Sequence, residues 1–309
     1  MHTFRAMNTD VRTYGFSTQM NEKVESWFRF VEEKLSRFKI NSELSRLNRS
    51  QGTPFLSSAL LFEVLDHAHS YHSKTGGLFN PYLGHVLCDL GYNQSFETLS
   101  EIYSVEKRKY DGSIQEPLKM DPVLRSIMLS PHVSVDLGGF AKGWIAHYLS
   151  QLLKEEGVTE GVIDAGGDIV FWGNEENVWE IEIEDPFESD KEMATLKICR
   201  EAGVATSSII KRSWKDASGN QYNHIVDPRT QQPSQSDFVQ VTVLAPNLIQ
   251  AEVYAKCVLI LGSEKGISWL EKIEPELAVI GVRYDHSIVI GSGLESYCLQ
   301  GGMDFGRAS

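Results

Sequence analysis

The stretch Val135-Asp136-Leu137-Gly138-Gly139-Phe140-Ala141-Lys142-Gly143 joins an apolar run and an acidic residue to two glycines and the start of an amphipathic segment. Glycines let a ligand approach the backbone closely, and the free N–H groups at a helix N-terminus can bind an anion. Lys142 would add a positive charge at the same place. The stretch is equally compatible with a tight strand-to-helix turn that carries a surface lysine.

On both sides of this turn, the spacing of apolar residues predicts helices and strands. Helices are predicted over residues 21–38, about 58–75, about 142–157, about 248–261 and 264–272. Strands are predicted over 133–135, 162–164, 169–172, 178–184, 195–199, 224–226, 239–244, 277–282 and 288–290. Because strands cluster between 160 and 245 without regular helices between them, we expect one α+β domain over 1–309, with a largely antiparallel sheet flanked by helices. The polar stretch 93–132 is expected to be a surface excursion.

The charge balance limits the possible partners. The 309 residues include 29 Lys and Arg against 42 Asp and Glu, a net charge of −13. Nucleic acids and anionic membrane surfaces select basic proteins, so neither is expected as the main partner. No window reaches the roughly 20 apolar residues of a membrane span, and the first residues lack the apolar stretch of a signal peptide. We therefore expect a cytoplasmic protein, whose four cysteines form no CxxC pair and are predicted to be buried free thiols.

Two further segments carry residues suited to chemistry. In Asp164-Ala165-Gly166-Gly167-Asp168, two carboxylates flank a Gly-Gly turn, which indicates either a hairpin or a pair of acids for metal binding or proton transfer. Hydroxyls, two cations and a His-Asp pair follow one another within the range 205–230. A serine hydrolase would also need a G-x-S-x-G elbow, which this sequence lacks.

Glu252 and Lys256 stand four residues apart in the helix predicted over 248–261. Residues with this spacing lie on one face of a helix and commonly form a solvated ion pair. Without other information, this is the interpretation that we expect to hold.

The order of the motifs along the chain is more specific than any one of them. In order, they are Phe4-Arg5-Ala6-Met7-Asn8-Thr9, Leu35-Ser36-Arg37-Phe38, Gly76-Gly77-Leu78-Phe79-Asn80-Pro81, the glycine-rich stretch 135–143, Asp164-Ala165-Gly166-Gly167-Asp168, Ala205-Thr206-Ser207, His224-Ile225-Val226-Asp227-Pro228 and Val241-Thr242-Val243-Leu244-Ala245-Pro246. Together they resemble the FAD:protein FMN transferase family, the ApbE-like flavin transferases, over nearly the whole chain.

This resemblance implies a single α+β domain and a group-transfer reaction. Such enzymes bind FAD, use Mg²⁺, cleave the pyrophosphate, place FMN on a Thr or Ser hydroxyl of a partner protein and release AMP. Some members mainly hydrolyse FAD to FMN and AMP.

The resemblance also implies contact positions. By motif they are Met7, Phe38, Leu78, Phe79, Asn80, Asp136, Lys142 and Ile225. Met7 and Phe38 match positions that line the isoalloxazine, and Phe38 would stack on it. The segment 78–80 matches a flavin contact, with Asn80 where the family commonly has Asp. Asp136 and Lys142 match FAD-binding positions of the Gly-rich turn, and Ile225 would contact the nucleotide.

The expected metal site departs from the family pattern. The resemblance implies as ligands the carbonyl of Gly139 and the side chain of Glu252, which stands where the family usually has Asp. Lys256 replaces a further usual ligand, a Thr. Glu can bind Mg²⁺ but is one methylene longer, and a charged Lys has no lone pair to donate. Three interpretations follow: a transferase with a modified metal site, a metal-independent transferase in which Lys256 supplies the charge, or a protein that binds FAD or a partner without catalysis.

Overall fold

An eight-stranded antiparallel sheet forms the centre of this computed structural model, which describes residues 1–95, 116–174, 176–188, 190–215 and 219–305. The strands are β1 His2–Ala6, β2 Thr9–Tyr14, β3 Phe55–Leu56, β4 Leu118–Asp121, β5 Ser126–Leu129, β6 Gly161–Ala165, β7 Ile169–Trp172, β8 Trp179–Glu184, β9 Glu192–Ile198, β10 Ala202–Ser208, β11 Ser213–Lys215, β12 Gln221–Asn223, β13 Val226–Asp227, β14 Gln232–Pro233, β15 Phe238–Ala245, β16 Ala278–Arg283, β17 Ile288–Ile290 and β18 Cys298–Phe305. The helices are α1 Thr18–Leu35, α2 Glu43–Arg49, α3 Ala59–Lys74, α4 Gly84–Asp89, α5 Ala141–Glu155, α6 Leu248–Leu261 and α7 Ser263–Ile273, and a 3₁₀ helix covers Ser292–Ser296.

The strand order of the central sheet is β1-β2-β6-β7-β10-β15-β16-β17, and every neighbouring pair is antiparallel. Smaller sheets have the orders β18-β9-β8, β3-β5-β4, β11-β12 and β13-β14. This arrangement confirms the predicted α+β class with a largely antiparallel sheet.

Helix α5 packs against both α1 and α6, and all three helices pack against the central sheet. Helix α6 contacts β10 and β15, and it is apolar on almost every side, from Leu248 through Ile260. A helix that is apolar all round is buried in the core. Of the two charged residues of α6, Glu252 is therefore buried and needs a partner inside the protein, and Lys256 is half-buried.

Several boundaries differ from the predicted ones. Helix α1 ends at Leu35, because Ser36 adopts an extended conformation (ψ 118°), so Phe38 lies in the turn beyond the helix. The predicted strand 133–135 is irregular, with one isolated bridge between Leu83 and Ser134. The predicted strand 224–226 is wrong as well, since the short strand β13 begins only at Val226.

Part of the stretch 93–132 is not a surface excursion. Strands β4 and β5 form a hairpin there, and β5 also pairs with β3. Ile127 and Leu129 are fully buried in this small sheet, so their burial against the core explains the order of a segment whose local pattern is polar. Residues 96–115 lie outside the described part of the chain.

The four cysteines are free thiols, and Cys257 and Cys298 are buried. The prediction is wrong for Cys88, which is exposed, and Cys199 is half-buried. Within the described ranges, no helix has the length and apolar character needed to cross a membrane.

Acid should destabilise this fold partly through His147 on α5. Burial lowers the pKa of its imidazole to about 4, with further contributions from Lys154 and His67. An unfolded chain titrates near 6.5, so between these two pH values the unfolded state binds more protons. We expect the free energy of unfolding to fall by up to about 3 kcal/mol through this group as the pH drops from 6.5 to 4, with no contribution above 6.5. Urea unfolding from pH 7 to pH 4 should show a shallower pH dependence for His147→Gln, and an unchanged slope would contradict this assignment.

Candidate active site

Two cavities meet at the Gly-rich turn in front of α5. The residues that line both are Gly138, Gly139, Lys142, Arg212, His224 and Lys256. Three of these six residues are cationic, and Lys142 among them is paired with the buried carboxylates of Asp168 and Glu252. The junction therefore brings cationic side chains together in a protein that is acidic as a whole. A ligand that spans both cavities must pass this junction.

The first cavity has an apolar and aromatic wall. Of the predicted contact positions, it contains Met7, Phe38, Leu78, Phe79, Asn80, Asp136 and Lys142. Backbone hydrogen bonds tie the segment that carries Leu78 to Asn80 to the Gly-rich turn: Asp136 N donates to Pro81 O at 2.8 Å, and Gly84 N donates to Ser134 O at 2.9 Å. These bonds explain how two motifs about 55 residues apart line the same cavity.

The second cavity lies between β10 of the central sheet and β8 of a smaller sheet, and it is more polar than the first cavity. It is lined by Ile225, the remaining predicted contact position, and by Glu252. Thr206, Ser207 and Gln240 contribute hydroxyl and amide groups to its wall. The structure therefore places every predicted contact position on one of two adjoining cavities.

Arg37 holds the aromatic wall in place. Its guanidinium carbon lies 4.3 Å from the centroid of the Phe38 ring and 4.9 Å from that of Tyr92. Its Nη2 donates to the Tyr92 carbonyl at 2.6 Å, and its Nε forms an ion pair with Asp136. Stacking on two rings while bonding a carboxylate is a geometry that the planar guanidinium fits and a lysine does not. The motif that contains Arg37 carries no local signal for this role, because the partners of Arg37 lie far away in the sequence.

Lys142 lies between two buried carboxylates. Its Nζ is 2.7 Å from Asp168 Oδ2 and 3.3 Å from Glu252 Oε1. Burial opposes the charge on Lys142, but the two carboxylates outweigh this effect and raise its pKa above the ordinary value. Burial likewise tends to raise the pKa of Glu252, yet Lys142, Lys256 and the backbone N–H of Gly143 together hold it below the usual range. The three side chains form one charged network.

Lys256 reaches the carbonyl of the Gly-rich turn. Its Nζ donates to Gly139 O at 2.6 Å, while Glu252 Oε2 accepts a 2.9 Å hydrogen bond from Gly143 N. The predicted solvated ion pair between Glu252 and Lys256 is therefore wrong, because each of these side chains is engaged with the turn in front of α5. Burial lowers the pKa of the Lys256 amine, and Glu252 counters part of that shift.

His224 is a neutral residue at the junction. Burial, followed by the charges of Arg212 and Lys256, lowers the pKa of its imidazole to about 3. Its Nδ1 lies 3.3 Å from the Arg212 carbonyl, which can only accept a hydrogen bond. The proton is therefore on Nδ1, and Nε2 is the nitrogen with a free lone pair.

The hairpin and the acidic pair predicted at 164–168 separate into two roles. Gly166 and Gly167 adopt positive φ angles of 76° and 92°, as a two-residue hairpin turn between β6 and β7 requires. Asp164 Oδ1 accepts a hydrogen bond from Gly167 N within that turn, whereas Asp168 points to Lys142. The hairpin prediction is confirmed, and only Asp168 belongs to the site.

A family model described as the ApbE family matches residues 3–281. The chain belongs to the ApbE family. Its relatives include the FAD:protein FMN transferases of Haemophilus influenzae, 27% identical over 289 residues that cover 89% of this chain and 82% of the relative, and of Escherichia coli K12, 24% identical over 256 residues that cover 81% and 73%.

Solved ApbE structures have the same fold. An ApbE protein of Thermotoga maritima superposes with a TM-score of 0.82 at 20% identity, covering 97% of this chain and 99% of the other. The flavin transferase ApbE of Vibrio cholerae gives 0.74 at 22% identity, covering 96% and 98%.

The metal ligands that the ApbE resemblance implied are engaged otherwise in this chain. The Gly139 carbonyl accepts from the Lys256 amine, and both oxygens of Glu252 accept hydrogen bonds from Lys142 and Gly143. The part of the chain that the structure describes contains no group of three or more His, Cys, Asp or Glu residues placed to hold a metal ion. Because the Lys256 amine stands at one ligand position and occupies the Gly139 carbonyl, while Glu252 is bonded to Lys142 and Gly143, the residues present do not fit Mg²⁺.

Proposed function

We propose that this protein is an FAD:protein FMN transferase, which binds FAD, transfers FMN to a Thr or Ser hydroxyl of an acceptor protein and releases AMP. The observation that carries the proposal is the meeting of an aromatic cavity and a polar cavity at Lys142, Arg212 and Lys256. The parts of FAD follow the same order as the site. Its planar aromatic ring system lies on one side of an anionic pyrophosphate, and its adenosine lies on the other side. The names of the relatives in the ApbE family support the same activity.

In this proposal, each cavity takes one half of FAD. The isoalloxazine lies in the first cavity, against Phe38, whose ring position is set by Arg37 and Tyr92. The adenosine lies in the second cavity, where Ile225 offers an apolar contact. The pyrophosphate lies at the junction, where the backbone turn and the cations stabilise negative charge.

The reaction is a phosphoryl-type transfer. The acceptor hydroxyl oxygen attacks the phosphorus that is attached to the riboflavin part, and the bond between that phosphorus and the bridging oxygen breaks. AMP leaves with the bridging oxygen, and the hydroxyl proton passes to Nε2 of His224. The cations at the junction stabilise the charge that develops on the phosphoryl oxygens, which is the main source of catalysis in such transfers.

The test uses FAD and a library of Thr- and Ser-containing peptides. We expect AMP to be released and a peptide to gain FMN, measured by chromatography and mass spectrometry of the peptides. If AMP and free FMN form without a labelled peptide, the protein is an FAD pyrophosphatase. If FAD stays intact, the protein is a flavin-binding member of the family without catalysis, and the proposed function is wrong.

Arg37→Lys should weaken FAD binding by about tenfold. A lysine keeps a positive charge near Asp136 but cannot stack on Phe38 and Tyr92 while bonding the Tyr92 carbonyl, and a cation–π contact of this kind contributes about 1–2 kcal/mol. The dissociation constant can be measured from the quenching of flavin fluorescence on binding. Arg49→Lys is the matched control, because Arg49 lies at the exposed end of α2, outside both cavities, and bonds the carbonyl of Ile40. Equal FAD affinities for the two variants would refute the role given to Arg37.

A further inference from the structure

Lys256 contacts the Gly-rich turn and lines both cavities. Its Nζ is 2.6 Å from the Gly139 carbonyl and 5.8 Å from the centroid of the Phe79 ring, on the wall of the first cavity. A lysine ammonium has three N–H donors, and the Gly139 carbonyl takes one of them. The others remain for acceptors at the junction.

Gly139 in the turn and Gly143 in the first turn of α5 leave room for the two charged side chains of α6. A Cβ atom on Gly139 would lie 2.1 Å from Lys256 Nζ, and one on Gly143 would lie 2.5 Å from Glu252 Oε2. Neither glycine has a positive φ, so backbone conformation does not explain them. The space that they leave is taken by the amine of Lys256 and the carboxylate of Glu252.

Glu252 and Lys256 have different roles at the start of α5. Glu252 and Lys256 lie one turn apart on the same face of α6, which aims both side chains at the start of α5. Glu252 binds Gly143 N and Lys142 and so anchors the buried cation, whereas Lys256 is held at the carbonyl beside the cavities. Glu252 is buried, whereas Lys256 is half-buried and lines both cavities.

We propose that the ammonium of Lys256 is a tethered cation that takes the place of a divalent metal ion beside the pyrophosphate, so that FMN transfer by this chain needs no metal. This inference rests on the proposed function. The inference accounts for both residues by which α6 differs from the family pattern. Lys256 supplies the positive charge, and the longer side chain of Glu252 bonds Gly143 N and Lys142 instead of a metal. Lys256 would donate hydrogen bonds to the pyrophosphate oxygens as charge develops on them.

The first experiment compares the rate of AMP release in EDTA with the rate in millimolar Mg²⁺. We expect the wild-type rates to agree within about twofold. Lys256→Met should lose about 100-fold in rate under both conditions, because one charged donor to the transferring group is removed. Lys272→Thr, on the exposed face of α7 and outside both cavities, is the control and should keep the wild-type rate.

The second experiment measures metal binding directly, by the electron paramagnetic resonance signal of free Mn²⁺ in the presence of FAD. Wild type should bind no Mn²⁺ at this site, whereas Glu252→Asp combined with Lys256→Thr should bind one ion and regain AMP release only when Mg²⁺ is added. A Mn²⁺ ion that wild type binds and Glu252→Gln loses would overturn the inference, and so would a wild-type rate that EDTA abolishes and Mg²⁺ restores. Absence of AMP under every condition would instead refute the proposed transferase, while Mn²⁺ binding still decides the inference.

Discussion

Replacing Lys142 with methionine is expected to lower the free energy of unfolding by about 3–5 kcal/mol. Methionine has a similar length, so the space stays filled. The variant nevertheless leaves Asp168 and Glu252, both more than nine-tenths buried, without the cation that contacts them at 2.7 and 3.3 Å. An unpaired buried charge costs much more than the lost attraction alone, because burial has already removed its water. Urea unfolding at pH 7 measures the difference.

A control on the same helix separates the buried network from a general effect of removing a lysine. Lys154 on α5 pairs with Glu201 at 2.8 Å near the surface, and Lys154→Met should cost about 1 kcal/mol or less. Neutralising the partners as well, in Lys142→Met combined with Asp168→Asn and Glu252→Gln, should recover a large part of the stability that Lys142→Met loses. If Lys142→Met costs no more than Lys154→Met, then these carboxylates do not depend on Lys142.

The parts of the fold that could be predicted from the sequence are those where local pattern and burial agree. Helices α3, α5 and α6 are apolar at helical spacing because one or more of their faces enters the core, and their boundaries came close to the observed ones. The prediction for α1 ran past its end because Phe38 continues the apolar spacing. The Phe38 ring does not pack on the buried face of α1, because Arg37 stacks on it and holds it in the wall of the first cavity.

The predicted strand 224–226 failed for a related reason. Ile225 N bonds the side chain of Asn223 instead of a neighbouring strand, and His224 bonds the Arg212 carbonyl. These bonds turn the apolar residues of the segment into the cavity. An alternation of side chains cannot distinguish a strand from a site wall of this kind.

The contact positions of the site came from the order of the motifs, but the charges that organise it did not. Arg37 and Asp136 are 99 residues apart, and Lys142 and Glu252 are 110 apart. Pairings over such separations depend on how the chain folds. The sequence pattern can indicate only nearby partners, so it predicted that Glu252 pairs with Lys256, four residues away. In the structure, Glu252 bonds Lys142 and Gly143 N, and Lys256 bonds the Gly139 carbonyl.

His224→Gln is expected to reduce the rate of FMN transfer by about 10²–10⁴-fold while changing FAD affinity only a few-fold. Glutamine can still occupy the space and bond the Arg212 carbonyl, but it cannot take up the proton of the acceptor hydroxyl. In the free protein, burial and neighbouring cations hold the pKa of His224 at about 3, so the ring is neutral and Nε2 is available. The bound pyrophosphate brings negative charge beside the ring, which offsets Arg212 and Lys256 and raises the pKa towards the range of an effective base. Single-turnover transfer and fluorescence titration with FAD measure the two effects separately, with His2→Gln, a partly exposed histidine on β1, as the control. A loss of FAD affinity as large as the loss of rate would make His224 a binding residue and leave the proton of the hydroxyl to another acceptor.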